Sequence, residues 1–348
     1  MSKAKTYGQF PVLRDLAYAY KLRLRRKRLL WRAFRKRREL TVVSDCTQTI
    51  VAGDILLFST VRNEADRLPY FLEHYRKLGV RHFLFVDNAS TDGTADLLAS
   101  QPDVSLWHAE ASYKKARFGV DWLTYLQGKF ADGHWCITAD ADELLVYLDD
   151  TKHGLRQLTS WLDTRDIPVF SALMLDMFPE SSLGQDTYQA GDDPIKSLPW
   201  FSPDGYYWEW QPKYRNMSIR GGARERVFFS QKPGHAPHLN KTPLVRWSRK
   251  YVYSSSTHLL LPRRLNAGFD QRGNPPTGAL LHTKFLDSVV AKSLEEKQRR
   301  EHFTYTERYD RYYDDIIARP CLHDEHSLRY GGPAQLARLG LISEGDCR

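Results

Sequence analysis

Short apolar runs alternate with amphipathic segments between residues 54 and 147, and this alternation limits the fold more than any other feature of the sequence. Strands are predicted at 54–60, 82–86, 104–107 and 134–139. Helices are predicted between them, over 68–78, around 97–98 and over 117–130. This order is typical of a mainly parallel sheet with helices on both faces. We therefore predict an α/β fold.

Polar side chains follow three of the predicted strands, where each strand ends. These clusters are Arg62–Glu64, Asp87–Asn88 and Asp140–Asp142. In open α/β sheets, ligands bind beyond the carboxyl ends of the parallel strands, which meet at one edge. Each cluster alone could be an ordinary connecting loop, but their common edge predicts one shared site.

The densest cluster is Asp140-Ala141-Asp142-Glu143. Side chains at i and i+2 of an extended chain point the same way, so Asp140 and Asp142 are expected on one face, with Glu143 turned away. Two close carboxylates repel each other unless a cation lies between them. Hard oxygen ligands of this kind suit Mg²⁺ or Mn²⁺. A solvated acidic turn is the alternative.

The overall composition indicates a folded globular protein. The chain has 348 residues, of which 42% are hydrophobic and 13% aromatic, enough for one large domain or two small ones. The sequence contains no apolar run of about 18 residues, so it predicts no transmembrane helix. It also contains no apolar stretch followed by a cleavage site, so it predicts no signal peptide. The four cysteines are scattered and lack zinc-site spacing. We expect a reduced, cytoplasmic setting.

Positive charge is concentrated at the N-terminus. Residues 1–40 carry 14 Lys and Arg against two acids, a net charge of +12, which leaves −3 for the rest of a chain with net charge +9. We predict a basic amphipathic helical segment over 1–40 and a linker over 41–53. The predicted apolar stripe of the helix consists of Leu22, Leu29, Leu30, Ala33 and Phe34, with Trp31 beside it.

This basic segment is typical of a helix that lies on an anionic membrane surface. Packing against the protein's own body or a partner is the first alternative, and nucleic acid is the second. Because the rest of the chain is mildly acidic, nucleic-acid binding would depend on this segment alone and is not favoured.

A long segment over 179–215 is rich in aromatic side chains. Long loops in compact domains are usually functional, and aromatic faces suit stacking on sugar rings. A small hydrophobic core is the alternative. The aromatic residues of the segment 179–215 include Trp200, Tyr206, Tyr207, Trp208 and Trp210. Further on, the sequence combines a glycine pair, Gly221-Gly222, with a charged triplet, and places His258 and His282 in predicted β-structure.

With these motifs, the chain resembles bacterial glycosyltransferases of family 2, which have the nucleotide-sugar-binding fold called GT-A. The similarity depends on three motifs and covers about residues 54–150. The motifs are Val61-Arg62-Asn63-Glu64, Val86–Thr94 and Asp140–Glu143. A weaker similarity continues through Gly221–Arg226 and Leu281–Leu286.

This resemblance implies a nucleotide-sugar-binding half over 54–150, an acceptor-binding half over 151–286 and a C-terminal helical segment over 287–348. It implies an inverting, metal-dependent glycosyltransferase that moves a hexose-type sugar from a UDP- or GDP-sugar to a glycan or lipid-linked acceptor. The expected location is the cytoplasm, with peripheral contact at the inner face of the membrane. Synthesis of a cell-surface polysaccharide is the expected process.

The resemblance also assigns roles to individual residues. The donor would be held by Arg62, Asn63, Glu64, Asp87, Asn88, Asp140 and Lys284. The family often has two acids where this chain has Asp87 and Asn88, which leaves the nucleobase contact open. Mn²⁺ or Mg²⁺ would be held by Asp140, Asp142 and His282, with a hydrogen-bonded core histidine as the alternative role of His282.

An inverting enzyme needs a general base to accept the proton of the attacking hydroxyl. The resemblance favours Glu225, because the base of this fold tends to follow a glycine-rich loop. A surface ion pair with Arg224 or Arg226 is the structural alternative for Glu225. Asp204 and Glu209 are the alternative bases.

Two other functions are compatible with the sequence. One is a non-catalytic binding protein that the basic N-terminus recruits to membrane or nucleic acid. The other is a nucleotidyltransferase, which also uses paired aspartates. For the latter we would expect a glycine-rich loop after the first strand, and Thr60–Glu64 contains no glycine.

Overall fold

The computed structural model describes residues 12–269, 274–299 and 306–345, and it confirms the predicted α/β fold. The strands are β1 Thr41–Ser44, β2 Leu56–Val61, β3 His82–Asp87, β4 Val104–His108, β5 Trp135–Thr138, β6 Glu143–Val146, β7 Val169–Asp176, β8 Trp200–Phe201, β9 Tyr206–Gln211, β10 Asn216–Gly221, β11 Asn240–Arg246, β12 Val252–Ser255, β13 Leu259–Leu261, β14 Thr277–His282 and β15 Leu328–Arg329. The α-helices are α1 Val12–Lys36, α2 Leu68–Leu78, α3 Thr94–Ala99, α4 Val120–Phe130, α5 Leu155–Thr164, α6 Pro194–Ser197, α7 Gly222–Phe228, α8 Val289–Arg299, α9 Thr306–Ile317 and α10 Pro333–Arg338.

A nine-stranded sheet forms the centre of the described chain. Its strand order is β1-β4-β3-β2-β5-β11-β7-β14-β6. Strands β4, β3, β2, β5, β7 and β14 run in one direction, while β1, β11 and β6 run against their neighbours. The sheet is therefore mainly parallel, as predicted, and helices flank it. β9 and β10 form a separate hairpin.

One edge of this sheet collects strand ends from distant parts of the sequence. It contains the carboxyl ends of β2, β3, β5, β7 and β14, together with the amino ends of the antiparallel β6 and β11. At this edge, His282 at the end of β14 pairs with Asp176 on one side and with Glu143 on the other. The topology therefore brings residues from distant parts of the sequence to one place.

The pattern of apolar residues explains why the elements flanking the site form. In α2, the residues at helical spacing are buried against the sheet, and they are Leu68, Phe71, Leu72, Tyr75 and Leu78. Pro69 lies in the first turn, and Gly79 ends the helix with φ of 104°. Strand β7 is buried along its whole length, as expected for a strand covered on both faces.

Helix α1 packs with one face on the protein's own body. Leu22, Leu29 and Ala33 are buried there, and Leu22 and Leu29 contact Val252 and Leu261 of β12 and β13. These residues belong to the stripe that was predicted to face a membrane, so that part of the stripe is not available to lipid. For this face of the helix, the structure shows the first alternative, which is packing against the protein's own body.

Strands of the central sheet come from both sides of two predicted boundaries. The predicted linker over 41–53 contains β1, which pairs with β4 at the edge of the central sheet. Strands β7, β11 and β14 come from the predicted acceptor-binding half but are hydrogen-bonded into the same sheet as the first half. The division near residue 150 stays a prediction. None of the helices in the described ranges combines enough length with enough apolar character to cross a bilayer.

We expect acid to destabilise the fold through His74 of α2. Burial lowers the pKa of His74 from 6.5 to about 4, and its Nε2 lies 2.9 Å from the carbonyl oxygen of Leu145. The folded state therefore holds a neutral imidazole, whose contribution is complete above about pH 6.5 and is lost as the pH falls towards 4. This pKa difference corresponds to about 3 kcal/mol.

Denaturant unfolding at about pH 7 and about pH 4.5, compared between the wild-type protein and His74→Gln, measures this loss. Glutamine keeps a donor for Leu145 but does not titrate, so the variant should lose less stability in acid. Exposed His326 provides the matched control, His326→Gln. An equal acid sensitivity of His74→Gln and the wild-type protein would contradict the prediction.

Candidate active site

Three carboxylates meet in the turn between β5 and β6. Ligand oxygens of Asp140, Asp142 and Glu143 all lie within 4.8 Å of one another. The expectation that Glu143 turns away is wrong, because β5 ends at Thr138 and the alternation of a strand does not continue through the turn. Glu143 instead begins β6, is buried, and its Oε2 accepts a 3.3 Å hydrogen bond from the backbone N–H of Asp140.

A buried lysine pairs with this cluster. Lys241, near the start of β11, contacts the Glu143 carboxylate, and its Nζ lies 3.3 Å from Oδ2 of Asp140. Lys241 and Glu143 are almost fully buried, whereas the side chain of Asp140 is 55% exposed. Asp140 is therefore the carboxylate that faces solvent, while Lys241 holds Glu143 in place.

His282 connects two carboxylates at the end of β14. Its Nε2 lies 3.2 Å from Oδ2 of Asp142, and its Nδ1 lies 2.7 Å from Oδ1 of Asp176. Arg224 of α7 also contacts Asp176. A second carboxylate on the far ring nitrogen is the arrangement that orients a metal-binding histidine. The same His282 is thus a buried, hydrogen-bonded histidine and a residue aimed at Asp142.

Electrostatics keep Asp142 ionised. Burial would raise the pKa of Asp142, but the nearby His282, Arg67 and Lys284 hold it well below its usual value. Burial likewise would lower the pKa of His282, yet Asp142 raises it above its usual value. Burial raises the pKa of Glu143, and the Lys241 ammonium opposes that rise.

The donor set fits a hard divalent cation. Asp140 and Asp142 offer carboxylate oxygens, and His282 offers an imidazole nitrogen beside Asp142. Oxygen ligands suit Mg²⁺, and Mn²⁺ also accepts imidazole. Thr283 fixes the turn, because its backbone N–H donates a 2.7 Å hydrogen bond to the carbonyl oxygen of Asp142.

The loop after β2 is held against the loop after β3. Arg62 donates hydrogen bonds to the carbonyl oxygens of Asn88 and Ala89. The backbone N–H of Thr91 donates a 2.8 Å hydrogen bond to Oδ1 of Asn63. Asn88 in turn donates its amide hydrogens to two carbonyl oxygens of the following loop. The structure thus gives Arg62, Asn63 and Asn88 partners within the protein, and their donor-binding roles stay predictions.

Asp87 keeps an unused acceptor in this loop pair. Its Oδ2 accepts a 3.2 Å hydrogen bond from the backbone N–H of Ser90 and lies 3.2 Å from Nδ1 of His108. Its Oδ1 is buried and has no hydrogen-bond partner among the described residues. A buried carboxylate oxygen without a partner is costly, and a ligand hydroxyl or amide would satisfy it.

Cations line the side of the site near α8. Glu64 pairs with Arg67 at 2.9 Å and with Lys292 of α8 at 2.7 Å. Burial and the nearby Arg224 lower the pKa of Lys284 to about 8, and its Nζ lies 5.2 Å from the centre of the Tyr312 ring. Lys284, one of the residues expected to hold the donor, lies two residues beyond the end of β14.

Helix α7 carries Arg224 and Glu225 on adjacent positions. Arg224 faces Asp176, whereas Oε2 of Glu225 accepts a 2.9 Å hydrogen bond from the Tyr207 hydroxyl. Neither ion pair of the structural alternative is observed, since Arg226 pairs with Asp324. Gly221 fixes the start of the helix, because it has φ of 118° and a Cβ there would lie 2.0 Å from the carbonyl oxygen of Gly205.

An aromatic cavity lies beside the hairpin of β9 and β10. It has a volume of about 670 Å³ and is lined by residues of β9 and β10, by Phe269 and by residues of the C-terminal segment. Its wall includes Asp204, Tyr206, Tyr207 and Trp208. Trp200 instead fits the alternative prediction, which is packing in a hydrophobic core. It packs against the main core and against the ring of His323.

Sequence reasoning missed Asp176 and Lys241. Asp176 ends an apolar run as Asp87 does, so the same end-of-strand pattern could have found it. Lys241 gave no such signal, because a lone lysine in an irregular sequence is usually exposed. His258, considered with His282, is a structural histidine whose Nδ1 lies 2.8 Å from the carbonyl oxygen of Asn240. Burial lowers its pKa to about 3.

No protein-family model and no curated protein sequence matches the chain. Among solved structures, similarity is found to a mannosyltransferase from Pyrobaculum calidifontis in complex with GDP-Man and Mn²⁺, at 22% identity and a TM-score of 0.28. That alignment covers 45% of this chain and 47% of the mannosyltransferase, so the chain spans about half the length of that protein.

Two further similar structures are nucleotidyltransferases or pyrophosphorylases by name. A putative glucose-1-phosphate thymidylyltransferase from Bacillus anthracis has 9% identity and a TM-score of 0.29, covering 83% of this chain and 94% of its own. An apo UDP-glucose pyrophosphorylase has 8% identity and a TM-score of 0.31, covering 71% and 99%. TM-scores below 0.5 do not support an inference about the reaction. An inference about function must therefore come from the residues of the candidate site.

Proposed function

We propose that the protein is an inverting, metal-dependent glycosyltransferase of the GT-A type. The observation that carries the proposal is the convergence of Asp142, His282 and Asp176 at the carboxyl edge of the sheet. Asp140 presents an exposed carboxylate beside them, and Arg67 and Lys284 supply positive charge. This combination of hard ligands and cations suits a diphosphate held through a divalent metal ion.

Asp140, Asp142 and His282 would hold the metal ion, Mn²⁺ or Mg²⁺. When bound, such an ion neutralises charge on the diphosphate leaving group. Asp176 orients the His282 ring through Nδ1, which leaves Nε2 for the ion. The buried Lys241 keeps Glu143 paired, so Glu143 acts as a support of the turn.

The donor is proposed to be a UDP- or GDP-sugar. Its nucleoside lies against the loops after β2 and β3, where the unpartnered Oδ1 of Asp87 can accept a hydrogen bond from a ribose hydroxyl or base N–H. Arg62, Asn63 and Asn88 hold these two loops in register, and Glu64 positions Arg67. Lys284 contacts a phosphate oxygen.

The acceptor is proposed to be a glycan or lipid-linked glycan in the aromatic cavity, with Glu225 as the general base. Its hydroxyl oxygen forms a bond to the anomeric carbon while the bond from that carbon to the diphosphate oxygen breaks. The proton passes to Glu225, and attack from the opposite side inverts the anomeric centre. Support comes from α7, which places Arg224 at the carboxylate cluster and Glu225 beside Tyr207 of the cavity wall.

Such a reaction would serve the synthesis of a cell-surface polysaccharide on the cytoplasmic side of the membrane. The first test is calorimetric titration of the protein with UDP and GDP, with and without Mn²⁺. We expect one nucleotide to bind only when Mn²⁺ is present. Incubation with the matching nucleotide sugars should then release that nucleoside diphosphate.

Two outcomes would contradict the proposal. Failure of UDP, GDP, CDP and dTDP to bind to the folded protein with Mn²⁺ would favour a binding protein without a donor site. Release of pyrophosphate from a nucleoside triphosphate and a sugar 1-phosphate would favour a nucleotidyltransferase.

A further inference from the structure

Helix α1 has a second apolar face, which points away from the body. Six large apolar side chains on this face are exposed, and they are Leu13, Leu16, Tyr20, Leu24, Trp31 and Phe34. Their spacings of 3, 4, 4, 7 and 3 residues place them in one stripe of the helix. Leu13 is 82% exposed and Trp31 is 62% exposed. This outer stripe lies opposite the buried Leu22, Leu29 and Ala33.

Cations border the outer stripe. Lys21, Arg23, Lys27, Arg28 and Arg35 are all exposed and flank or interrupt it. The one acid within the helix, Asp15, is directed to the body, where it pairs with Arg263 at 2.7 Å and with Arg215 at 3.0 Å. The helix therefore adds no carboxylate to the outer stripe, and the face combines apolar area with positive charge alone.

We propose that the outer stripe of α1 binds an anionic lipid surface. The aromatic and aliphatic side chains enter the boundary between headgroups and acyl chains, and the flanking Lys and Arg contact lipid phosphates. The stripe from Leu13 to Phe34 spans about 31 Å at 1.5 Å per residue, so the helix lies along the surface with the body above it. Apolar side chains occupy the centre of this face, which favours lipid over nucleic acid. The proposal does not depend on the transfer reaction.

The inner packing makes this binding a property of the whole protein. The inner face of α1 is fixed by Leu22 and Leu29 and by the 2.6 Å ion pair between Arg32 and Asp121 of α4. The helix therefore needs no rearrangement to present its outer stripe. A membrane-bound helix would hold the body, including the candidate active site, at the lipid surface.

Co-sedimentation of the full chain with vesicles tests the proposal. We expect sedimentation with vesicles of phosphatidylcholine mixed with phosphatidylglycerol, and weak sedimentation with phosphatidylcholine alone or at high salt. The triple variant Lys21→Gln, Arg28→Gln, Arg35→Gln should bind anionic vesicles on the order of a hundredfold more weakly. The double variant Leu24→Ala, Trp31→Ala should lose at least about tenfold.

Matched controls use exposed residues elsewhere. Leu294→Ala with Leu339→Ala removes exposed apolar side chains from α8 and the C-terminal segment, and should leave sedimentation unchanged. Lys232→Gln, Arg329→Gln and Arg338→Gln together remove three exposed cations and should have a much smaller effect than the α1 triple variant.

Circular dichroism and an unchanged midpoint of thermal unfolding show that each variant is folded. Equal sedimentation of the Leu24→Ala, Trp31→Ala variant and the wild-type protein would overturn the proposal. Tight binding of duplex DNA that survives this double substitution, without binding to anionic vesicles, would also overturn it and assign the face to nucleic acid.

Discussion

Replacing Asp142 with alanine is expected to lower metal-dependent nucleotide binding by at least about 100-fold, because the substitution removes a proposed metal ligand and one of the two carboxylates that pair with His282. The pKa of Asp142 is held well below its usual value, so the wild-type site presents a full negative charge at neutral pH. Calorimetry with Mn²⁺ and the bound nucleotide measures the loss. Transfer activity should fall with it.

Two other variants distinguish the proposed metal ligand Asp142 from its surroundings. Asp176→Asn leaves Asp142 in place but alters the support of the His282 ring, so we expect a smaller loss, about 10- to 100-fold. Asp132→Ala, which removes an exposed carboxylate paired with Arg249, serves as the matched control and should bind as the wild-type protein does. Wild-type affinity in a folded Asp142→Ala variant would remove Asp142 from the proposed metal site.

Metal binding to this site should also release a proton. Asp142 raises the pKa of His282 above its usual value, so the imidazole holds a proton more tightly when it faces the carboxylate alone. A histidine must be neutral to ligate a metal ion. The protein's own charge pattern therefore makes the ion compete with a proton at Nε2, the ring nitrogen that faces Asp142.

The clustering of polar residues at one edge of the sheet can be predicted from the sequence, because the strands concerned are each followed by a change from apolar to polar residues. The runs ending at Val61, Asp87 and Thr138 were each followed by polar side chains, and a parallel sheet must bring such ends together. The strong period of α2 and the glycine after it likewise located that helix to the residue. Local pattern was sufficient for these elements.

The rest of the site depends on pairings between residues far apart in the chain. Glu143 and Lys241 are separated by 98 positions, and nothing in either local sequence indicates the other. The antiparallel entry of β11 between β5 and β7 brings Lys241 to the carboxylates, and no periodicity predicts that insertion. Turn geometry decided the direction of Glu143, where a strand rule did not apply.

Helix α1 shows a different limit. Its apolar residues cover two opposite faces, and a sequence pattern cannot say which of them meets the body. Leu22 and Leu29 fit β12 and β13, which lie far along the chain, so the inner face was decided by tertiary contacts. Residues that looked like flanking positions, such as Trp31, then became the centre of the outer face.

Replacing Glu225 with glutamine is expected to lower the turnover number by about 10²- to 10⁴-fold while leaving nucleotide affinity unchanged. Glutamine keeps the shape of the side chain and can still pair with the Tyr207 hydroxyl, but it cannot accept the acceptor's proton. Initial rates with the nucleotide sugar identified by calorimetry, together with the affinity for the nucleotide, measure both effects.

A variant of the neighbouring Tyr207 distinguishes the positioning of Glu225 from its proposed role in proton transfer. Tyr207→Phe removes the 2.9 Å hydrogen bond to Glu225 but leaves the carboxylate, so its effect on turnover should be much smaller than that of Glu225→Gln. Wild-type turnover in Glu225→Gln would contradict the assignment. Asp204 lines the same cavity as Tyr207, and Glu209 lies on the same strand as Tyr207. A loss of turnover in Asp204→Asn or in Glu209→Gln would then assign the role of general base to that residue.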